Sequence, residues 1–144
     1  MSDKLNKILD LVKEYIDEKN ENKEWVAGRD FVNYAGPYFN SDEYVSAAET
    51  LLDGWLVMGD KSIKFERKFP KYYGKKHGVL TNSGSSANLL MMASLTSKRG
   101  HNFGKGTKVL MPIAGFPTTL NPALQVGFEP VFCDIELDTL NLDL

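Results

Sequence analysis

The sequence is short of several features that mark other classes of protein. It has one cysteine, Cys133, which excludes an internal disulfide and an all-cysteine metal site within this chain. No apolar run approaches the roughly 18–20 residues that span a bilayer, and charges interrupt the N-terminal stretch where a secretory signal needs an apolar region. Basic residues are not in excess, since 17 Lys and Arg stand against 19 Asp and Glu. We therefore expect a soluble, cytoplasmic protein with no membrane or nucleic-acid partner.

The chain has enough apolar residues for a core, and its first half predicts helices. Hydrophobic residues make up 42% of the 144 residues and charged residues 25%, as in ordinary globular domains. Apolar positions at helical spacing predict an amphipathic helix over residues 3–19. A second helix should begin at Asn40, because Glu43 stands where a capping box needs it. A third is predicted over 61–73, where Pro70 should cause a kink or a shorter helix.

From residue 77 onward the pattern alternates between strands and helices. Short apolar runs of the kind found in buried parallel strands are separated by stretches of good helix formers. The alternation predicts an α/β fold with a parallel sheet and flanking helices. The predicted elements are a strand at 77–82, a buried helix at 85–95, a strand at 108–112, a helix at 118–126 and a strand at 129–135.

The junction between the first of these strands and its helix suits a phosphate group. It contains Gly84, Ser85 and Ser86, at the place where a helix begins. The first turn of a helix has unpaired N–H groups and the positive end of the helix dipole. A glycine there allows close approach of a ligand, and serine hydroxyls add donors. The alternative is that these residues only cap a core helix, and the six residues from 82 to 87 do not decide between the two.

Two further segments are candidates for ligand or partner contacts. Phe116 follows the next predicted strand between a glycine and a proline, and could present its flat face to a planar ring; taken alone, it is interpreted as a core aromatic. The apolar segment 52–60 contains Trp55, Met58 and Gly59 and should form a loop that covers a substrate or a neighbouring subunit. The alternative for this segment is a helix connection packed on its own core.

Taken in order, the motifs of the chain resemble those of the DegT/StrS family of vitamin B6-dependent sugar enzymes. Within that family, the wording of Ser83–Leu90 and Gly115–Thr119 is most similar to the CDP-4-keto-6-deoxyglucose 3-dehydratase branch. The motifs are Gly-Trp-Leu-x-x-Gly at 54–59, Phe-Glu-x-x-Phe at 65–69, Tyr-Tyr-Gly at 72–74, Asn-Ser-Gly-Ser-Ser-Ala-Asn-Leu-Leu at 82–90, Gly-Phe-Pro-Thr-Thr-x-Asn-Pro at 115–122 and Gly-Phe-Glu-Pro-Val-Phe at 127–132.

The resemblance implies a fold and a set of cofactor-binding residues. The fold would be part of the large domain of the type I, aspartate aminotransferase-like transferases, with residues 1–39 as an N-terminal helix and arm and 40–144 as the incomplete large domain. Pyridoxal or pyridoxamine 5'-phosphate would be held through its phosphate by Gly84, Ser85 and Ser86, and Phe116 would stack on its pyridine ring. The loop with Trp55, Met58 and Gly59 would lie by the active site at a homodimer interface.

The resemblance also implies partners and groups that this chain does not supply. The substrate would be a nucleotide sugar, deoxygenated at C3 for the 3,6-dideoxyhexoses of surface polysaccharides. In this branch a histidine acts as the base, and an iron–sulfur cluster on several cysteines receives electrons from a reductase. No residue of the chain matches these catalytic or cluster positions, so we expect an N-terminal portion that is not competent alone. A sugar aminotransferase of the same family and a non-catalytic chain stay open as alternatives.

Overall fold

The structure, a computed structural model, describes residues 2–21 and 24–143. The chain divides into two compact units, residues 1–64 and 65–144, which are described one at a time. In chain order the elements are α1 (Asp3–Glu21), α2 (Ser41–Asp53), α3 (Asp60–Tyr72), α4 (Gly84–Leu95), β1 (Lys108–Pro112), α5 (Pro117–Gln125) and β2 (Glu129–Cys133).

The first unit is built around the packing of α1 on α2. The amphipathic helix predicted at 3–19 is confirmed, and it buries Leu9 and Ile16. The predicted start of α2 is also confirmed, because Asn40 and Glu43 form both halves of a capping box. Gly54 ends α2 with φ +76°, a backbone conformation in which glycine carries no steric penalty. Local capping signals therefore define both ends of α2.

The helix α3 contains a proline and is not shortened by it. It runs through Pro70 to Tyr72, so of the two expected effects of the proline, a kink or a shorter helix, the shorter helix does not occur. Pro70 is the buried residue of the helix, and a Cβ built on Gly78 would lie 3.3 Å from its ring. Beyond Tyr72, Gly74 takes φ +64° and the Lys75 N–H donates to the Pro70 carbonyl at 2.9 Å. These two features form a Schellman motif that holds the last turn.

The second unit contains a βαβ arrangement. Strands β1 and β2 pair in parallel, from Lys108 opposite Glu129 to Pro112 opposite Cys133, and α5 connects them and packs on both. The predicted parallel pairing and the predicted helix between these strands are confirmed. The buried core residues of this unit are Met111, Ala123 and Phe128.

Two expectations for residues 77–95 are wrong. The segment 77–82 forms no strand, and no strand within the described residues pairs with it. Its Leu80 N–H donates instead to a carboxylate oxygen of Glu66 at 2.7 Å. The helix α4 has the apolar composition of a buried helix, yet none of its residues is buried, and Met91 is 52% exposed.

Candidate functional site

The first turn of α4 keeps backbone donors available. Ser83 is the N-cap residue in an extended conformation, and its Oγ accepts a hydrogen bond from the Ser86 N–H at 3.2 Å. Its carbonyl accepts from the Ala87 N–H at 3.0 Å. Among the described residues, nothing accepts from the N–H groups of Gly84 and Ser85. The helix start is therefore capped once and still offers two N–H donors.

The serine hydroxyls add to these donors. The Ser83 hydroxyl donates to Ser86 Oγ at 3.2 Å, which leaves the hydroxyl hydrogen of Ser86 free for another acceptor. Ser85 is exposed, and no hydrogen bond to its hydroxyl forms within the described residues. The first turn carries no acidic residue. Free donors at the positive end of a helix dipole, without a competing carboxylate, suit an anion such as a phosphate.

Nothing in the packing of this chain requires glycine at position 84. Its φ does not fall in the left-handed region, and a Cβ built there would meet no atom within 4 Å. Gly84 stands at the first helical position, directly after the N-cap Ser83. A ligand that must approach the backbone closely would explain the choice, since a Cβ would enter the open space in front of the helix start.

Phe116 lies at the start of α5 rather than in the core. It is the N-cap residue of that helix, with φ −75° and ψ 143°, and Pro117 follows at the first helical position. The residue is 61% exposed, so its interpretation as a core aromatic is wrong. The fixed φ of Pro117 restrains the backbone next to the ring. The arrangement presents an aromatic face to the outside on a defined backbone.

A hydrogen bond joins the starts of α4 and α5. The side-chain Nδ2 of Asn88 donates to the main-chain oxygen of Thr118 at 3.1 Å. Asn88 lies one turn beyond Gly84, and Thr118 lies two residues beyond Phe116. The structure therefore places the serine-rich turn and Phe116 on neighbouring helix starts of one unit. Sequence reasoning did not single out Asn88.

The loop predicted at 52–60 is folded on its own tryptophan within the first unit. The indole Nε1 of Trp55 donates to the Met58 carbonyl at 3.1 Å. A Cβ on Gly59 would lie 3.3 Å from Trp55 Cδ1, so glycine lets the ring pack against the chain. The loop borders a cleft of about 690 Å³ that also contains Glu49 and Lys61. The structure thus brings Trp55, Met58 and Gly59 together, with the indole 60% exposed.

Residues 2–21 and 24–143 contain no group of three or more His, Cys, Asp or Glu side chains placed to hold a metal ion. Within the same residues, no helix combines the length and apolar character needed to cross a membrane.

Several known proteins are similar in sequence to this chain. The chain is 43% identical over 138 residues to the lipopolysaccharide biosynthesis protein RfbH of Salmonella typhimurium, covering 94% of this chain and 32% of that protein. It is 40% identical over 141 residues to the dTDP-4-dehydro-2,6-dideoxy-D-glucose 3-dehydratase of Saccharopolyspora spinosa, covering 96% and 30%. The chain spans about a third of the length of these curated relatives.

Solved structures show the same relationship. The GDP-4-keto-6-deoxy-D-mannose-3-dehydratase of E. coli with bound hydrated PLP superposes with a TM-score of 0.69 at 34% identity, covering 79% of this chain and 30% of that chain. The PMP form of a protein assigned as a sugar aminotransferase, from Streptococcus pneumoniae, gives 0.64 at 27% identity, covering 78% and 27%. The fold is accordingly a partial α/β domain of the aminotransferase type. The family model of the DegT/DnrJ/EryC1/StrS aminotransferases matches residues 37–144, and the chain belongs to that family.

Proposed function

We propose that this chain is the cofactor-phosphate-binding part of a vitamin B6-dependent nucleotide-sugar 3-dehydratase. The observation that carries the proposal is the first turn of α4, with free N–H groups on Gly84 and Ser85 and no acidic residue. This turn lies inside the segment shared with relatives whose names are 3-dehydratases, at 34–40% identity. One of the solved relatives holds PLP.

The residues of the two helix starts fit the cofactor. The backbone of Gly84 and Ser85 and the hydroxyls of Ser85 and Ser86 would bind its phosphate, and the exposed ring of Phe116 would stack on its pyridine. When bound, the cofactor supplies an electron sink for bond breaking next to the sugar carbonyl. The contribution of this chain is to bind and orient, because none of its residues is proposed as the catalytic base.

The proposal also covers the substrate and the partners of the protein. A solved variant of GDP-4-keto-6-deoxymannose-3-dehydratase holds GDP-perosamine, which supports a nucleotide-sugar substrate here. The resemblance favours CDP as the nucleotide, and a homodimer in which the loop with Trp55, Met58 and Gly59 meets the substrate or the second subunit. It also implies an iron–sulfur cluster and a reductase, with the cluster ligands outside this chain. Residues 1–39 would form the helix and arm, and 40–144 the large-domain portion.

A sugar aminotransferase is the second candidate. The structural match to the protein assigned as a sugar aminotransferase favours it. The two reactions differ in their product: in a protein that carries this chain together with the remainder of the fold, glutamate and a nucleotide 4-keto sugar give an amino sugar only from an aminotransferase. A 3-deoxy sugar formed with pyridoxamine phosphate and a reductant supports the dehydratase. Comparing CDP, GDP and dTDP sugars identifies the nucleotide.

Cofactor binding is tested on the chain itself. Calorimetric titration with pyridoxamine 5'-phosphate should show saturable binding that inorganic phosphate competes away. Replacing Ser85 and Ser86 together by alanine removes two hydroxyl donors, and the affinity should fall by about 100-fold or more, since each hydrogen bond to a charged group contributes roughly 1.5–3 kcal/mol. Ser94→Ala is the matched control, because Ser94 lies in the last turn of α4 and its hydroxyl is bonded to the Met91 carbonyl.

The contrary results are clear. Wild-type chain that shows no saturable binding, or a double alanine variant with unchanged affinity, would contradict the proposed phosphate site. The non-catalytic alternative predicts the first of these results.

A further inference from the structure

We infer that Asn88 is a positioning residue that fixes the position of the Phe116 ring relative to the phosphate-binding turn of α4. The inference rests on the proposed function, because it concerns one cofactor that contacts both helix starts. It arises from the hydrogen bond between Asn88 Nδ2 and the Thr118 carbonyl. The residue four positions after Thr118, which in a regular α-helix would donate its N–H to that carbonyl, explains why the bond is needed.

The Thr118 carbonyl lacks its regular helical donor. In an α-helix each carbonyl accepts from the N–H four residues later. Four residues after Thr118 stands Pro122, which has no N–H and whose ring crowds the carbonyl in question. Pro122 is buried, and Thr118 is itself half-buried. Because this carbonyl has no donor four residues later and belongs to a residue that is only partly open to water, a donor from outside α5 stabilises it.

Asn88 supplies that donor from α4. Its amide lies 3.1 Å from the Thr118 oxygen and is half-buried. Within the described residues, no other side-chain hydrogen bond joins α4 to α5. Asparagine is a weak helix former, so its place in the second turn of α4 costs helix stability and calls for a specific contact. Asn88 and Pro122 therefore form one device that ties the two helices together.

The device connects the two halves of the candidate site. Asn88 follows Gly84 by four residues and so lies above it on the same face of α4. Thr118 follows Phe116 by two residues at the start of α5. A rigid cofactor fixes the spacing between its phosphate and its ring, so both contacts form together only if the helix starts keep that spacing. Phosphate binding alone depends on α4 and does not need α5.

The test separates ring binding from phosphate binding. Affinities for pyridoxamine 5'-phosphate, which cannot form Schiff bases with lysines, and for inorganic phosphate are measured by calorimetry. Their ratio is the ring advantage. Asn88→Leu keeps the size of the side chain and removes the donor, and the ring advantage should fall by about two- to tenfold, the range expected for loss of one aromatic contact. Phosphate affinity should stay within about twofold, since α4 keeps its donors. Asn121→Leu, at an exposed position of α5, is the matched control.

A rescue variant keeps the inference testable if Asn88→Leu is unstable. Pro122→Ala restores an N–H for the Thr118 carbonyl, so combining it with Asn88→Leu should recover most of the ring advantage. On a Phe116→Ala background, Asn88→Leu should change the ring advantage no further. A role confined to stability predicts a different result, in which both affinities fall together and Pro122→Ala gives no rescue.

The failure of this inference differs from the failure of the proposed function. Wild-type chain with no ring advantage, or with no binding of either ligand, overturns the proposed function and this inference with it. A clear ring advantage that Asn88→Leu retains overturns the role of Asn88 alone.

Discussion

The helices α2 and α4 both begin with a polar N-cap residue. Their first turns differ in charge and in the number of N–H groups that stay free. At α2, Asn40 Oδ1 accepts from the Asp42 N–H at 2.7 Å, and a Glu43 oxygen accepts from the Asn40 N–H at 2.8 Å. Both Asp42 and Glu43 carry negative charge in its first turn. At α4, one serine caps one N–H, the N–H groups of Gly84 and Ser85 stay free, and no carboxylate is present.

The difference is the one that the proposed phosphate site requires. Every helix has a positive N-terminal end, and α2 places carboxylates of its own at that end. The first turn of α4 carries no acidic residue, and under the proposed function the phosphate of the cofactor would supply the negative charge.

The largest expected effect comes from giving α4 the capping box of α2. Ser86 stands at the third helical position, as Glu43 does in α2, so Ser86→Glu places a carboxylate where it can accept from the N-cap N–H. The new charge opposes phosphate, and affinity for both phosphate and pyridoxamine 5'-phosphate should fall by about 100-fold or more. The melting temperature of this variant should equal or exceed that of the wild type. Ser86→Gln builds the same cap without charge and should lose less affinity. Retained binding in Ser86→Glu would contradict the open-terminus account.

Exchanging glycines should give the next largest effect. Gly84→Val fills open space at a conformation that valine can adopt, so stability should hold while cofactor affinity falls by about tenfold. Gly54→Ala is the contrast, since its φ of +76° penalises any side chain. That variant should lower the free energy of unfolding by about 1 kcal/mol and leave cofactor affinity unchanged. Urea unfolding and calorimetric titration of both variants test the pair, and a Gly84→Val variant that binds normally would place the ligand elsewhere.

The caps themselves should have smaller and similar effects on stability. Asn40→Ala and Ser83→Ala each remove one cap, and each should lower the free energy of unfolding by about 1 kcal/mol. Only Ser83→Ala should alter phosphate affinity, because Asn40 stands at a helix start already occupied by carboxylates. Equal changes in phosphate affinity for the two variants would remove the distinction between the helix starts.

Sequence reasoning found what depends on neighbouring residues and missed what depends on distant ones. The capping box of Asn40, the end of α2 at Gly54 and the pairing of two apolar runs follow from local spacing. The exposure of Phe116 does not, because an aromatic ring is buried or exposed according to which layer covers it. A signal for Asn88 was nevertheless present: a proline inside a helix leaves a carbonyl that some donor must serve.

The segment 77–82, which forms no strand, shows a second case of the same limit. Its short apolar run indicates a strand, but a strand needs a neighbour, and none lies beside it within the described residues. Instead the carboxylate of Glu66, from another part of the sequence, accepts the Leu80 N–H. Whether an apolar run becomes a strand is thus decided by tertiary context, which the run itself does not contain.

The smallest expected effect concerns pH. Acid should lower the stability of α2 through one ion pair, and α4 has no such pair. Lys61 Nζ lies 2.7 Å from Glu49 on α2, and the hydrogen bond, followed by its charge, lowers the pKa of Glu49 from 4.5. A lowered carboxyl pKa contributes stability that is complete above the ordinary value of the group and is lost as the pH falls through the lowered pKa. In Lys61→Met this contribution is absent, so the two proteins should differ in the hydrogen-exchange protection of α2 amides at about pH 6, and the difference should shrink as the pH falls below 4.5. A part of the difference that does not depend on pH should remain, because Lys61 Nζ also donates to the Ser46 main-chain oxygen. The difference should be slight because the pair is accessible to solvent. Amides of α4, a helix without charged groups, should show equal protection in both proteins at each pH, and a matching change there would mean that Lys61 stabilises the chain as a whole rather than α2.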